Sequence, residues 1–133
     1  MTDLEFLTGK VPGYADYGDE DHRHLVDPQM RSYLGEALSA ARDRLVPAGE
    51  VAEQLDGLLL RCEFSDQRVM RATDHALFGD ALVDRIHALD RKLVEASDEI
   101  RAVQAVAELQ PLLDAAARVM DERFGVIADA PPR

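Results

Sequence analysis

The feature that most constrains this chain is the recurrence of apolar residues at Phe78, Leu82, Ile86, Leu89, Leu93, Ala96 and Ile100. At about 100° per residue these positions fall in a sector of roughly 80°, one seam held for about six helical turns. A strand would scatter them over both faces. Shorter stripes precede and follow. Met30, Leu34, Leu38, Ala41 and Leu45 share a face over 28–46, and Val51, Leu55, Leu58, Leu59 and Cys62 share one over 48–63. Leu112, Leu113, Ala116, Val119 and Met120 make a last amphipathic set.

The punctuation between stripes agrees with helices. Asp27 followed by Pro28 predicts an N-cap and a first helical position, and Pro47 with Gly49 predicts a stop. Ser65 or Asp66 is placed to cap the third helix, which continues through Phe78 towards Ile100. Ser97-Asp98-Glu99 leaves open whether residues 65–110 make one long helix or two, Pro111 predicts a kink or a new start near Gln110, and Gly125 is placed to close the last helix.

These signals predict an all-α fold, a bundle of four or five helices over residues 27–125 with an irregular N-terminal arm over 1–26 and a flexible tail over 126–133. With 133 residues there is room for one domain, and with 5% aromatic residues and no Trp the core has to be aliphatic. The arm carries Leu4, Phe6, Leu7, Val11, Tyr14 and Tyr17 without a sustained period, broken by Gly9, Pro12-Gly13 and Gly18. Its apolar side chains are expected to lie along the bundle, since leaving each large one in water forfeits about 1.5–3 kcal/mol.

Charge excludes whole classes of function. The 26 acidic and 15 basic residues give a formal net charge of -11, the wrong sign for displacing counterions from nucleic acid or for approaching an anionic membrane. No stretch has the roughly 20 apolar residues that span a bilayer. The N-terminal residues Met1-Thr2-Asp3-Leu4-Glu5 lack a basic, apolar leader pattern, and with the single Cys62 this gives a cytoplasmic expectation.

Metal and cofactor chemistry find little support. His22 and His24 lie among Asp16, Asp19, Glu20, Asp21 and Asp27, but their spacing matches no ligand pattern, so a solvated acidic linker accounts for them. Asp84 and His87 form a carboxylate-x-x-His pair of the kind used in di-iron bundles, without the second copy such a site needs. They are expected on an exposed face. Cys62 lies on its helix's apolar stripe and reads as a buried, inert thiol. Neither a phosphate loop nor a nucleophile triad signature is present, and no cofactor is expected.

The stretch from Asp66 to Gly79 carries the most specific local likeness. Its His75, Leu77 and Gly79 resemble part of the phosphoacceptor motif of histidine phosphotransfer domains, acidic four-helix bundles of similar length. The resemblance implies His75 as phosphoacceptor with Arg71 and Gly79 in support. It covers about a dozen residues, and Phe78 stands where that family has a lysine. Helical phase also puts His75 on the apolar seam, which predicts a core or boundary histidine unless the helix starts only after Gly79. Arg85–Leu93 is similar to the first-helix pattern of the all-helical chorismate mutases, but Lys10 and Lys92 are the chain's only lysines, too few for that family's cationic site.

The leading expectation is a non-enzymatic interaction or regulatory module that binds a partner protein, or a second copy of itself as a homodimer. An acidic surface around an apolar groove favours a basic partner. Tyr14, Tyr17 and Tyr33 are the candidate contacts, although tyrosines that pin the arm to the bundle look the same in sequence. Phosphotransfer through His75 is the alternative.

Overall fold

The computed structural model describes residues 1–133 and is built from helices with no named strand. In chain order these are α1 (Asp3–Lys10), a 3-10 turn (Arg23–Leu25), α2 (Val26–Leu45), α3 (Gly49–Glu63), α4 (Gln67–His75), α5 (Asp80–Ala102) and α6 (Val106–Ala128). Helices α2 to α6 are the five of the bundle, the upper of the two numbers that the periodicity predicts. None is long and apolar enough to cross a membrane.

α5 is the central element. It packs against α6, α2 and α1, while α3 lies against α2 and α6 and α4 closes one end against α6. Its seam behaves as the spacing requires: Ile86, Leu89, Leu93 and Ile100 are buried, joined by Val83 and Val94. All of these but Leu89 merge with Leu34 and Leu38 of α2, Leu55 of α3 and Leu109, Leu113 and Met120 of α6 into one aliphatic core.

Four local expectations need correction. The arm is not irregular throughout. It opens with α1, capped where Thr2 Oγ1 accepts from the Glu5 amide at 3.1 Å, and Leu7 and Val11 bury against the body. Second, Asp27 is not an N-cap. The 3-10 turn runs straight into α2, whose N-cap position is Leu25, and the Asp27 carboxylate is turned inwards. Third, the helix expected to run from its Ser65 or Asp66 cap through Phe78 is broken at 76–79 into α4 and α5, with α5 ending at Ala102 and α6 beginning before residue 110. Gly79 has extended backbone as the N-cap of α5, and Phe78 keeps the seam's phase by burying from the link rather than from a helix. Pro111 sits inside α6, which starts earlier, at Val106.

The fourth correction concerns residues 126–133. α6 continues to Ala128, past Gly125, whose backbone is not left-handed and whose carbonyl accepts from the Asp129 amide at 3.0 Å. Beyond it the chain turns back along the α4–α5 link. The Leu77 amide donates to the Pro131 carbonyl at 2.7 Å and the Arg133 amide to the His75 carbonyl at 3.1 Å, with Ala76 and Pro132 bridged antiparallel.

Candidate functional site

Two of the three candidate tyrosines have another task. Tyr14 and Tyr17 are 7% and 0% exposed, so they present no ring to a partner; they pin the arm. Tyr14 Oη donates to Asp90 on α5, Tyr17 Oη shares a 3.0 Å hydrogen bond with Thr73 Oγ1 on α4, and the Tyr17 amide donates to His87 Nε2 at 3.1 Å. Burial, and for Tyr14 also the Asp90 charge, pushes both phenols above their usual range. His87 is therefore buried and separated in role from the exposed Asp84, contrary to the expected exposed pair. Tyr33 is only half-buried and donates to Asp98 at 2.6 Å.

Beneath the arm lies a charge cluster. Arg123 of α6, 1% exposed, donates from Nη1 to Asp27 at 2.8 Å and from Nε to Asp90. Asp27 also accepts from Arg31 Nε at 3.0 Å. Burial works against the Arg123 charge, but the two carboxylates outweigh it and raise the guanidinium's pKa. A second guanidinium, Arg23, is 3% exposed and makes no carboxylate pair; its head lies 4.5 Å from the Phe78 ring centroid and 5.8 Å from that of Tyr17. This cluster is closed to solvent. It organises the fold rather than offering a site.

Access is found instead at the corner where α3 passes into α4. Leu60 and Phe64 stand four residues apart at the end of α3 and are 56% and 65% exposed. With Phe124 they line an open cleft of about 590 Å³. Its two cations are already neutralised: Arg61 Nη2 meets Asp121 at 2.7 Å and lies over Phe124, and Arg68 Nη2 meets Asp66 at 3.2 Å. The Arg68 guanidinium holds the Asp66 carboxyl below the usual carboxylate range; partial burial opposes it, while the Arg68 and Val69 amides assist at the α4 N-cap. Sequence reasoning passed over Phe64 because it falls outside the α3 stripe. The available signal was its i, i+4 pairing with Leu60, away from the face of Leu55, Leu58, Leu59 and Cys62.

His75 is the last residue of α4 and its ring is exposed, so the core or boundary position does not hold. The helix break at 76–79 removes the phase relation to Leu82 on which that position rested. Arg71, one turn earlier, is exposed in the same cleft beside α4, whereas Gly79 lies across the break at the start of α5 and Phe78 is buried. The exposed His22 is occupied locally, its Nδ1 lying 2.8 Å from Asp19. Cys62 is buried beside Gly35 of α2, and burial pushes its thiol up to about 11 against the pull of Arg31 and Arg61. No family model matches the chain, and no match is found among curated proteins or solved structures.

Proposed function

We propose that this chain is a protein-interaction module whose docking surface is the α3–α4 corner, and that the occupant is a basic, apolar segment of a partner protein. One observation carries the reading: Leu60 and Phe64 stand in solvent in a cleft of mixed polarity whose two cations, Arg61 and Arg68, already have carboxylate partners. The field an incoming segment meets is then set by the net charge of -11, with Glu63 and Asp129 exposed nearby. Large apolar side chains held in water are what an interface core is made from. A second copy of the chain brings the same negative field and is the less favoured occupant.

The test is fluorescence anisotropy with two labelled amphipathic peptides of equal helicity, one of leucine and lysine, the other of leucine and glutamate. The basic peptide is expected to bind, the acidic one not, and Leu60→Ser with Phe64→Ser to weaken binding by at least about tenfold. Equal binding of both peptides, or binding untouched by the double substitution, overturns the reading. Concentration-dependent dimerisation abolished by Phe64→Ser replaces the basic partner with a second copy.

A second reading, phosphotransfer through His75, draws on the exposure of its imidazole with Arg71 one turn away. Incubation with acetyl phosphate or a phosphorylated receiver domain should then give an acid-labile label that His75→Gln removes. An unlabelled wild-type chain sinks it.

A further inference from the structure

We propose that the cleft between α4 and residues 128–132 is a binding site for a small carboxylate with a short apolar body. On one side, Arg71, Ala72, His75 and Ala76 fall at three- and four-residue spacing and so share one face of α4 and its end. Across from them stand Ala128, Ala130 and Pro132. Because Ala72, Ala76, Ala128 and Ala130 fill so little space between the two walls, an open cleft of about 400 Å³ lies there, within the range of small-molecule sites. The far wall is fixed beforehand by the two backbone hydrogen bonds that join Pro131 and Arg133 to the α4–α5 link, so a ligand need not order it on arrival.

The charge of this cleft is opposite to that of the molecule. In a chain of net charge -11, the ionisable side chains lining it are Arg68, Arg71 and His75, and no carboxylate is among them. Arg68 is committed to Asp66. Arg71 and His75 are exposed, and neither side chain is engaged in a hydrogen bond or ion pair, unlike the guanidiniums of Arg61, Arg91, Arg101 and Arg123. A guanidinium presents a planar fork that matches a carboxylate through two parallel hydrogen bonds, and the imidazole is a further donor beside it. The alanines and Pro132 offer the ligand's remaining atoms an apolar bed. The rest of the surface selects against multiply charged anions, since each added negative charge is repelled by the body, and a single carboxylate incurs that repulsion least. This site is separate from the α3–α4 docking surface, sharing only Arg68 with it.

Octanoate titrated into the ¹⁵N-labelled chain at neutral pH tests the assignment by amide shifts. Saturable one-site binding is expected, with shifts centred on Arg71, His75 and Ala128. Arg71→Gln should weaken it about tenfold and Ala128→Leu, which fills the space, should remove it. Inorganic phosphate and 1-octanol, each carrying half of the required chemistry, should bind at least about tenfold more weakly. Cations in the last turn of a helix also complement its carbonyls. That purely structural role predicts a lower melting temperature for Arg71→Gln with octanoate affinity unchanged, and this result overturns the proposal. Phosphate binding as tightly as octanoate, shifts centred on Leu60 and Phe64, or no saturable binding also overturns it.

Discussion

Tyr14 Oη donates a 2.5 Å hydrogen bond to Asp90 Oδ2 across 76 positions of sequence, fastening the arm to a carboxylate with no exposed surface. Tyr14→Phe keeps the ring and removes only this donor. Because the acceptor is charged and buried, the loss is expected to be about 1.5–3 kcal/mol in urea unfolding. Tyr33→Phe, at the half-buried bond to Asp98, should cost less than about 1 kcal/mol. Equal losses at the two sites would remove the distinction.

Replacing Arg123 by methionine leaves Asp27 with Arg31 and leaves Asp90 with only Tyr14 as a partner. Breaking a buried pair from one side typically costs about 3–5 kcal/mol, a large share of the stability of a domain this size. Combining Arg123→Met with Asp90→Asn should restore part of it. A double variant no more stable than Arg123→Met contradicts the role assigned to Asp90.

Asp98 gives a signed pH dependence. Partial burial pushes its carboxyl up, but hydrogen bonds from Lys10 and Tyr33 and the Lys10 charge outweigh this, so its folded pKa lies below the ordinary carboxylate value. The stabilisation is therefore fully present above the unfolded value of about 3.9 and is lost as pH falls through the lower folded value. Because the pair is partly solvated, the contribution is below about 1 kcal/mol. Asp98→Asn should show a smaller loss of stability than wild type between pH 6 and pH 3, read by thermal melts. An identical loss in both chains would refute it.

The raised thiol of Cys62 predicts chemical silence. With its pKa pushed to about 11, little thiolate exists at pH 8, and labelling by 5,5′-dithiobis(2-nitrobenzoate) should be roughly 100-fold slower than in urea. Fast labelling of the folded chain would place the sulfur in solvent.

Val46 ends α2 with φ 48° and ψ 57°, left-handed backbone that is costly for a β-branched residue, and its side chain is 76% exposed. Val46→Gly should therefore stabilise the chain by about 0.5–1 kcal/mol despite the freedom glycine gains on unfolding. A destabilised variant would show that the Val46 side chain is needed.

Much of the bundle was legible because burial and helical spacing are the same signal, as Ile86, Leu89 and Leu93 illustrate. The break at 76–79 was not, since Phe78 buries in phase with α5 without belonging to it. α1 had a readable mark, the Thr2-x-x-Glu5 spacing of a capping box, which the scattered glycines masked. The pairing of Asp27 with Arg123 spans 96 positions and leaves no local trace. The candidate sites were least legible. Leu60, Phe64 and the Arg71 cleft depend on what is left uncovered, and exposure is a property of the assembled helices rather than of any one of them.

Arg123 ties α6 to Asp27 of α2 and Asp90 of α5, and Asp90 in turn holds Tyr14. Peeling α2, α5 or α6 away breaks an ion pair in the protein interior, and peeling the arm takes a phenol donor from the buried Asp90, so none of them frays independently. Amide-exchange protection at the arm, α2, α5 and α6 should consequently rise and fall as one cooperative block.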